Sequence, residues 1–122
     1  MNQNIIDLNE VNFEMEVLNS CQPVLVRFYA GWSAPCLALS RAIDNVAGDD
    51  SFSIKICRVD VEAQEQLTDQ CGVRVVPTLM IFNLGMVTAR MEGAATGEAV
   101  RDMLERAPWV SSGRCAGELV SL

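Results

Sequence analysis

Histidine is missing from all 122 residues. Serine–histidine and cysteine–histidine catalysis are thereby excluded, because no imidazole exists to take a nucleophile's proton. There is no Cys-x-x-Cys pair either: Cys21, Cys36, Cys57, Cys71 and Cys115 stand far apart and are odd in number. Such a set suggests neither a disulfide scaffold nor a zinc site, and scattered thiols suit a reducing compartment such as the cytosol. Positive charge is scarce. Nine basic residues against sixteen acidic give a formal net charge of −7, which argues against nucleic acid or an anionic membrane as partner, since both need clustered Lys and Arg. No apolar run approaches the ~18 residues of a membrane-spanning helix. The start, Met1-Asn2-Gln3-Asn4, lacks the basic and then apolar pattern of a leader peptide. The expectation is a cytoplasmic protein that needs neither metal nor cofactor.

What is present is enough apolar material for one core, half of the residues being hydrophobic. Asn4 to Leu8 reads as an edge strand. Asn9 is placed to cap a helix through Leu18, with Val11, Met15 and Leu18 as its inward stripe. Val24 to Ala30 is a strand buried on both faces. Ser33 is a good N-cap, Pro35 suits a first helical turn, and Leu39, Ile43, Val46 and Ala47 form the stripe of the following helix, which Gly48-Asp49-Asp50 ends. Phe52 to Val59 is a further strand, and Glu62 to Gln70 a short helix stopped by Gly72. Thr78 to Asn83 and Met86 to Met91 flank Leu84-Gly85 as a hairpin. Thr96 caps a last helix through Arg106, with Val100 and Leu104 inward and Pro108 beyond its end. The order βαβαβαββα predicts an α/β fold with helices on both faces of one sheet.

Three segments carry a resemblance. Trp32-Ser33-Ala34-Pro35-Cys36, between a strand and a helix, resembles the thioredoxin family's Trp-Cys-Gly-Pro-Cys, with serine in place of the attacking cysteine. Gly72-Val73-Arg74-Val75-Val76-Pro77-Thr78 resembles the family's Gly-Ile-Arg-Gly-Ile-Pro-Thr, whose proline is cis. Phe82-Asn83-Leu84-Gly85, followed by Glu92-Gly93-Ala94, is similar to its hairpin and later Val-Gly-Ala. The resemblance covers roughly residues 4 to 107. It implies a thioredoxin fold, a mixed sheet flanked by helices, over residues 1–107, with residues 108–122 as a C-terminal tail. In that family the first cysteine attacks a substrate disulfide and the second resolves the mixed disulfide, so Ser33 and Cys36 become the catalytic positions. Trp32, Ala34, Pro35, Val75, Val76, Pro77, Gly93 and Ala94 would bind substrate, an extended strand paired to the open backbone of the Pro77 loop. Arg27 and Tyr29 would tune the site from below. Implied partners are disulfide-containing proteins and a thioredoxin reductase.

Departures from the family matter as much. Arg27 stands where a buried aspartate is usual, Ile56 where a lysine is usual, and Arg41 where a proline commonly bends the helix. A guanidinium at position 27 is expected to find an acidic partner or to extend to the sheet edge. With Ser33 the exchange cycle fails at its first step, because a thiolate is the nucleophile. Two readings follow: a protein-disulfide oxidoreductase arrested by Ser33, or a redox-inactive binding or chaperone module that uses the same groove. Serine at this position is compatible with a natural residue, an engineered exchange or a rendered selenocysteine. Cys115 in the tail, and Cys21, Cys57 and Cys71, are expected to stand outside the chemistry.

Overall fold

The run Val24-Leu25-Val26-Arg27-Phe28-Tyr29 has no polar alternation, and the computed structural model places it where such a run belongs, in mid-sheet. The structure describes residues 5–47, 54–93 and 96–106. Five strands, β1 (Ile6–Asp7), β2 (Val24–Tyr29), β3 (Lys55–Asp60), β4 (Thr78–Asn83) and β5 (Met86–Glu92), lie in the order β1-β3-β2-β4-β5. The first three are mutually parallel, and β4 and β5 each run antiparallel to their neighbours. Between them come α1 (Ala34–Ala47), α2 (Glu65–Gln70) and α3 (Gly97–Arg106). The chain is thus the α/β arrangement anticipated, a mixed sheet with helices.

Successive side chains of β2 point to opposite faces and feed two cores. Leu25 packs with Leu39 and Ile43 of α1, Val100 and Leu104 of α3, and Ile56 of β3. Val24, Val26 and Phe28 pack on the other face with Val17, Val59 and Leu67. The helix start at Thr96 is as read: its Oγ1 accepts the Ala99 N–H at 3.1 Å. At the β4–β5 turn Leu84 and Gly85 both take positive φ, 54° and 83°, the twist that a two-residue hairpin loop requires.

The segment after β1 departs from expectation. Asn9 Oδ1 accepts the N–H groups of Val11 and Asn12, and Asn12 Oδ1 accepts that of Asn9. These bonds hold a turn where a regular helix was expected, and a π-helical turn follows over Glu14–Leu18. The wider winding changes the inward face. Val17 and Phe13 turn to the core, Phe13 edge-on to Phe82 at 5.8 Å, whereas Val11, Met15 and Leu18 are exposed. The second helix also begins late. Asp60 Oδ1 accepts the N–H groups of Glu62 and Ala63, forming a turn that delays α2 to Glu65. β3 starts at Lys55, past the expected Phe52, which together with Gly48-Asp49-Asp50, Ala94, Pro108 and Cys115 lies outside the described residues.

Candidate functional site

Register fixes which segments meet. Phe28 pairs with Thr78 across β2 and β4, and Thr78 pairs with Glu92 across β4 and β5. The turn after β2, the Pro77 loop and Gly93 therefore lie at one end of the sheet. Gly93, with φ 89°, donates its N–H to the Pro77 carbonyl at 2.8 Å. Val76–Pro77 is cis, as the resemblance implied. Thr78 Oγ1 donates to the Val75 carbonyl at 2.6 Å. Among the described residues the backbone groups of Val76 make no hydrogen bond within the fold, and Val75 is exposed beside it.

The turn between β2 and α1 is closed by its own residues. Ser33 N–H donates to the Ala30 carbonyl at 3.1 Å, and Ser33 Oγ accepts the Cys36 N–H at 3.3 Å as the N-cap of α1. Both side chains are buried. Cys36 Sγ accepts the Ala30 N–H at 3.4 Å, tying the first turn of the helix to the end of the strand. Ala34 and Trp32 are exposed, Trp32 at 71%, and Trp32 Nε1 donates to Glu62 Oε2 at 2.8 Å. Pro35 is the second residue of α1.

Arg27 does neither of the things expected of it. It is only 5% exposed, makes no hydrogen bond or ion pair among the described residues, and sets its guanidinium over the Tyr29 ring at 4.7 Å from the centroid. Desolvation and the neighbouring charge of Arg58 both hold its pKa below the ordinary arginine value, against the opposing fields of Tyr29, Asp44 and Cys36. The physical reason is the strand itself: a mid-strand side chain between β3 and β4 has an aromatic surface in reach but no carboxylate. Arg58 lies directly opposite Arg27 in register, 5.7 Å from the same ring, and pairs with Asp7 of β1. That pairing raises the Arg58 pKa, while the Arg58 hydrogen bond holds Asp7 below the usual carboxylate range.

Sequence reasoning passed over Arg58, Glu62 and Arg90. Arg58 was within reach, because Ile56 and Arg58 share one face of β3. Arg90 donates to the carbonyls of Cys71 and Gly72, at 3.3 and 2.7 Å, and so braces the approach to the Pro77 loop. No short motif announces it; only the β4–β5 register does. Ile56 is buried under α1 and Arg41 is exposed on it. Cys57 is buried and Cys71 half-buried, and burial raises the pKa of both thiols, that of Cys57 to about 12. Among the described residues no group of three or more Cys, Asp or Glu side chains is arranged to hold a metal, and no helix is long and apolar enough to cross a membrane.

Comparison with known proteins places these features in context. The thioredoxin family model matches residues 4–106. The chain is 32% identical over 105 residues to the thioredoxin of Pseudomonas aeruginosa, covering 86% of this chain and 97% of that protein. It is 36% identical over 95 residues to thioredoxin C-2 of Corynebacterium nephridii (78% and 88% covered), and 34% identical over 99 residues to thioredoxin 1 of a Nostoc species (81% and 92%).

Proposed function

The chain belongs to the thioredoxin family, and from that premise we propose that it is a thioredoxin-type protein-disulfide oxidoreductase whose exchange cycle is arrested at the first step by Ser33. The observation that carries this reading is the placement of Cys36. Its thiol sits in the first turn of α1, bonded to the end of β2, with position 33 at the helix N-cap and the open backbone of Val76 at the same end of the sheet. The unpaired amides and dipole of a helix N-terminus stabilise a thiolate at the cap. In the complete cycle a thiolate at position 33 would attack one sulfur of a protein disulfide, forming a mixed disulfide and releasing the other sulfur as a thiolate. Cys36 would then attack the sulfur at position 33, forming an intramolecular disulfide and freeing the substrate's second thiol. A reductase would supply the two electrons that reopen it. Serine oxygen does not begin this sequence, and the chain has no histidine to activate it.

In this reading Trp32, Ala34, Pro35, Val75, Val76, Pro77, Gly93 and Ala94 would bind substrate, and Arg27 and Tyr29 would tune the site. The implied setting is the cytoplasm, with disulfide-containing proteins and a thioredoxin reductase as partners. A second reading, a redox-inactive binding module using the same groove, is favoured by two observations. Arg27 replaces the family's carboxylate, and Ser33 already serves the fold as a satisfied cap.

The test is disulfide reduction with dithiothreitol as donor. The chain as it stands is expected to give no turnover, and Ser33→Cys to confer it. A folded Ser33→Cys protein that stays inactive overturns the oxidoreductase reading in favour of the binding module.

A further inference from the structure

Beside the Cys36 thiol a cleft of about 180 Å³ opens between β2, β3 and α1, lined by Arg27, Tyr29, Cys36, Leu37, Ser40 and Arg58 among others. Its volume is several times the ~30 Å³ share of one water and well short of the ~300 Å³ where pockets for drug-sized ligands begin. It has room for a compact solute. Its chemistry is cationic. Arg27 reaches it from the strand with no carboxylate in contact: among the described residues its five N–H donors meet no protein acceptor, and its close partner is the face of Tyr29. Buried guanidinium groups are ordinarily paired with an acidic group or fully hydrogen-bonded. Asp44 acts on Arg27 through its longer-range field and forms no ion pair with it, while Asp7 is engaged by Arg58. Of the two guanidinium groups that line this cleft, Arg58 is in contact with a carboxylate and Arg27 is not.

We propose that the cleft is a binding site for a small oxyanion, an inorganic oxyanion or a short carboxylate, held by Arg27 in charge-assisted hydrogen bonds with Ser40 and Arg58 at its margin, directly beside the Cys36 sulfur. The bound anion supplies the acceptors that the described residues do not offer Arg27, and it puts an anion next to Cys36 in a protein whose net charge is −7. The proposal stands independently of redox turnover, since it needs neither a thiol at position 33 nor a substrate disulfide. Failure of the turnover test leaves it untouched, and the reverse holds too.

Inorganic sulfate, titrated against chloride at constant ionic strength, is the first probe. Two-dimensional amide NMR is expected to show saturable shifts at Ala30, Gly31 and Leu37 at millimolar sulfate. These shifts vanish in Arg27→Gln and persist, weakened, in Arg27→Lys. The second probe compares alkylation of Cys36 by anionic iodoacetate and neutral iodoacetamide, read by peptide mass spectrometry. The ratio of the two rates cancels the thiolate fraction, and 2-mercaptoethanol gives its value for a free thiol. The expected ratio at Cys36 is about tenfold above that value, equivalent to ~1.4 kcal/mol, and sulfate suppresses it. Without the site, the acidic surface would push the ratio below the free-thiol value. Absence of a saturable shift in the native chain overturns the proposal. So does an alkylation ratio at or below the free-thiol value, or a Cys36 that neither reagent reaches.

Discussion

Ser33 is the residue at which chemistry and architecture separate. In the proposed cycle its hydroxyl does not replace the attacking thiolate, yet as an N-cap it is complete, its Oγ accepting the Cys36 N–H. Chemistry could therefore be altered at this position while the helix start stays intact. Arg27 shows the opposite case, in which an unfamiliar residue is accommodated by a neighbour, the Tyr29 ring, without any acidic partner. Cys57 is a thiol that the fold holds out of play. It is fully buried at the centre of β3, and burial pushes its pKa to about 12 against an ordinary value of 9.0; the Lys55 charge opposes this shift and Glu16 adds to it. The sign of the consequence follows from linkage. Well below pH 9 the thiol is protonated in folded and unfolded chains alike, and its contribution to stability is intact. As pH rises from 9 toward 12 only the unfolded chain releases the proton, so stability falls by ~1.4 kcal/mol for each pH unit. The advantage of the native chain over Cys57→Ala, measured by urea unfolding with reductant present, is expected to shrink by about 1 kcal/mol between pH 9 and pH 10, the full slope being reached only above that interval. An advantage that stays constant across this interval would contradict the assigned burial effect.

Among the elements, those defined by burial on both sides or by a side-chain cap were legible in the sequence: β2 from its unbroken apolar run, the hairpin from Leu84-Gly85, and α3 from Thr96. The element that was misread is the one where local side-chain bonds compete with helical period. The spacing of Val11, Met15 and Leu18 fits an α-helix, but the Asn9–Asn12 bonds fix the entry and the π-winding rotates the inward face onto Phe13 and Val17. Periodicity assumes a constant number of residues per turn, and a single wider turn moves the buried face elsewhere. Two truncations distinguish the arrangements. Val17 is 1% exposed, so Val17→Ala removes about two buried methyl equivalents and leaves a void, with an expected cost of about 2 kcal/mol. Met15 is 70% exposed, and Met15→Ala should change stability by less than about 0.5 kcal/mol. Chemical denaturation of both variants checks this, and a larger loss at Met15 than at Val17 would restore the regular helix.

At the scale of the molecule, one strand joins two otherwise separate cores. Leu25 belongs to the core under α1 and α3, Phe28 to the core on the opposite face, and both side chains are fully buried. The site sits where this strand ends, and Cys36 is bonded to Ala30 just beyond it. The two apolar faces of β2 could be read from the sequence. The Arg27–Arg58 juxtaposition could not, because it arises only from the parallel register between residues thirty-one positions apart. Since every strand is paired in a single sheet, loss of either core removes the surface on which the other is built. Unfolding is therefore expected to be one cooperative transition, as is usual for single domains of this size. Leu25→Ala and Phe28→Ala should each cost on the order of 3 kcal/mol. In both variants far-UV circular dichroism, which reports the helices, should shift to the same denaturant midpoint as tryptophan fluorescence, which includes Trp32 beside the site. If the face carrying α1 and α3 could fold alone, Phe28→Ala would split the two signals while Leu25→Ala moved them together. Coincidence in both variants is what a shared central strand requires, and it would mean that the geometry around Cys36 is lost only when the whole sheet is lost.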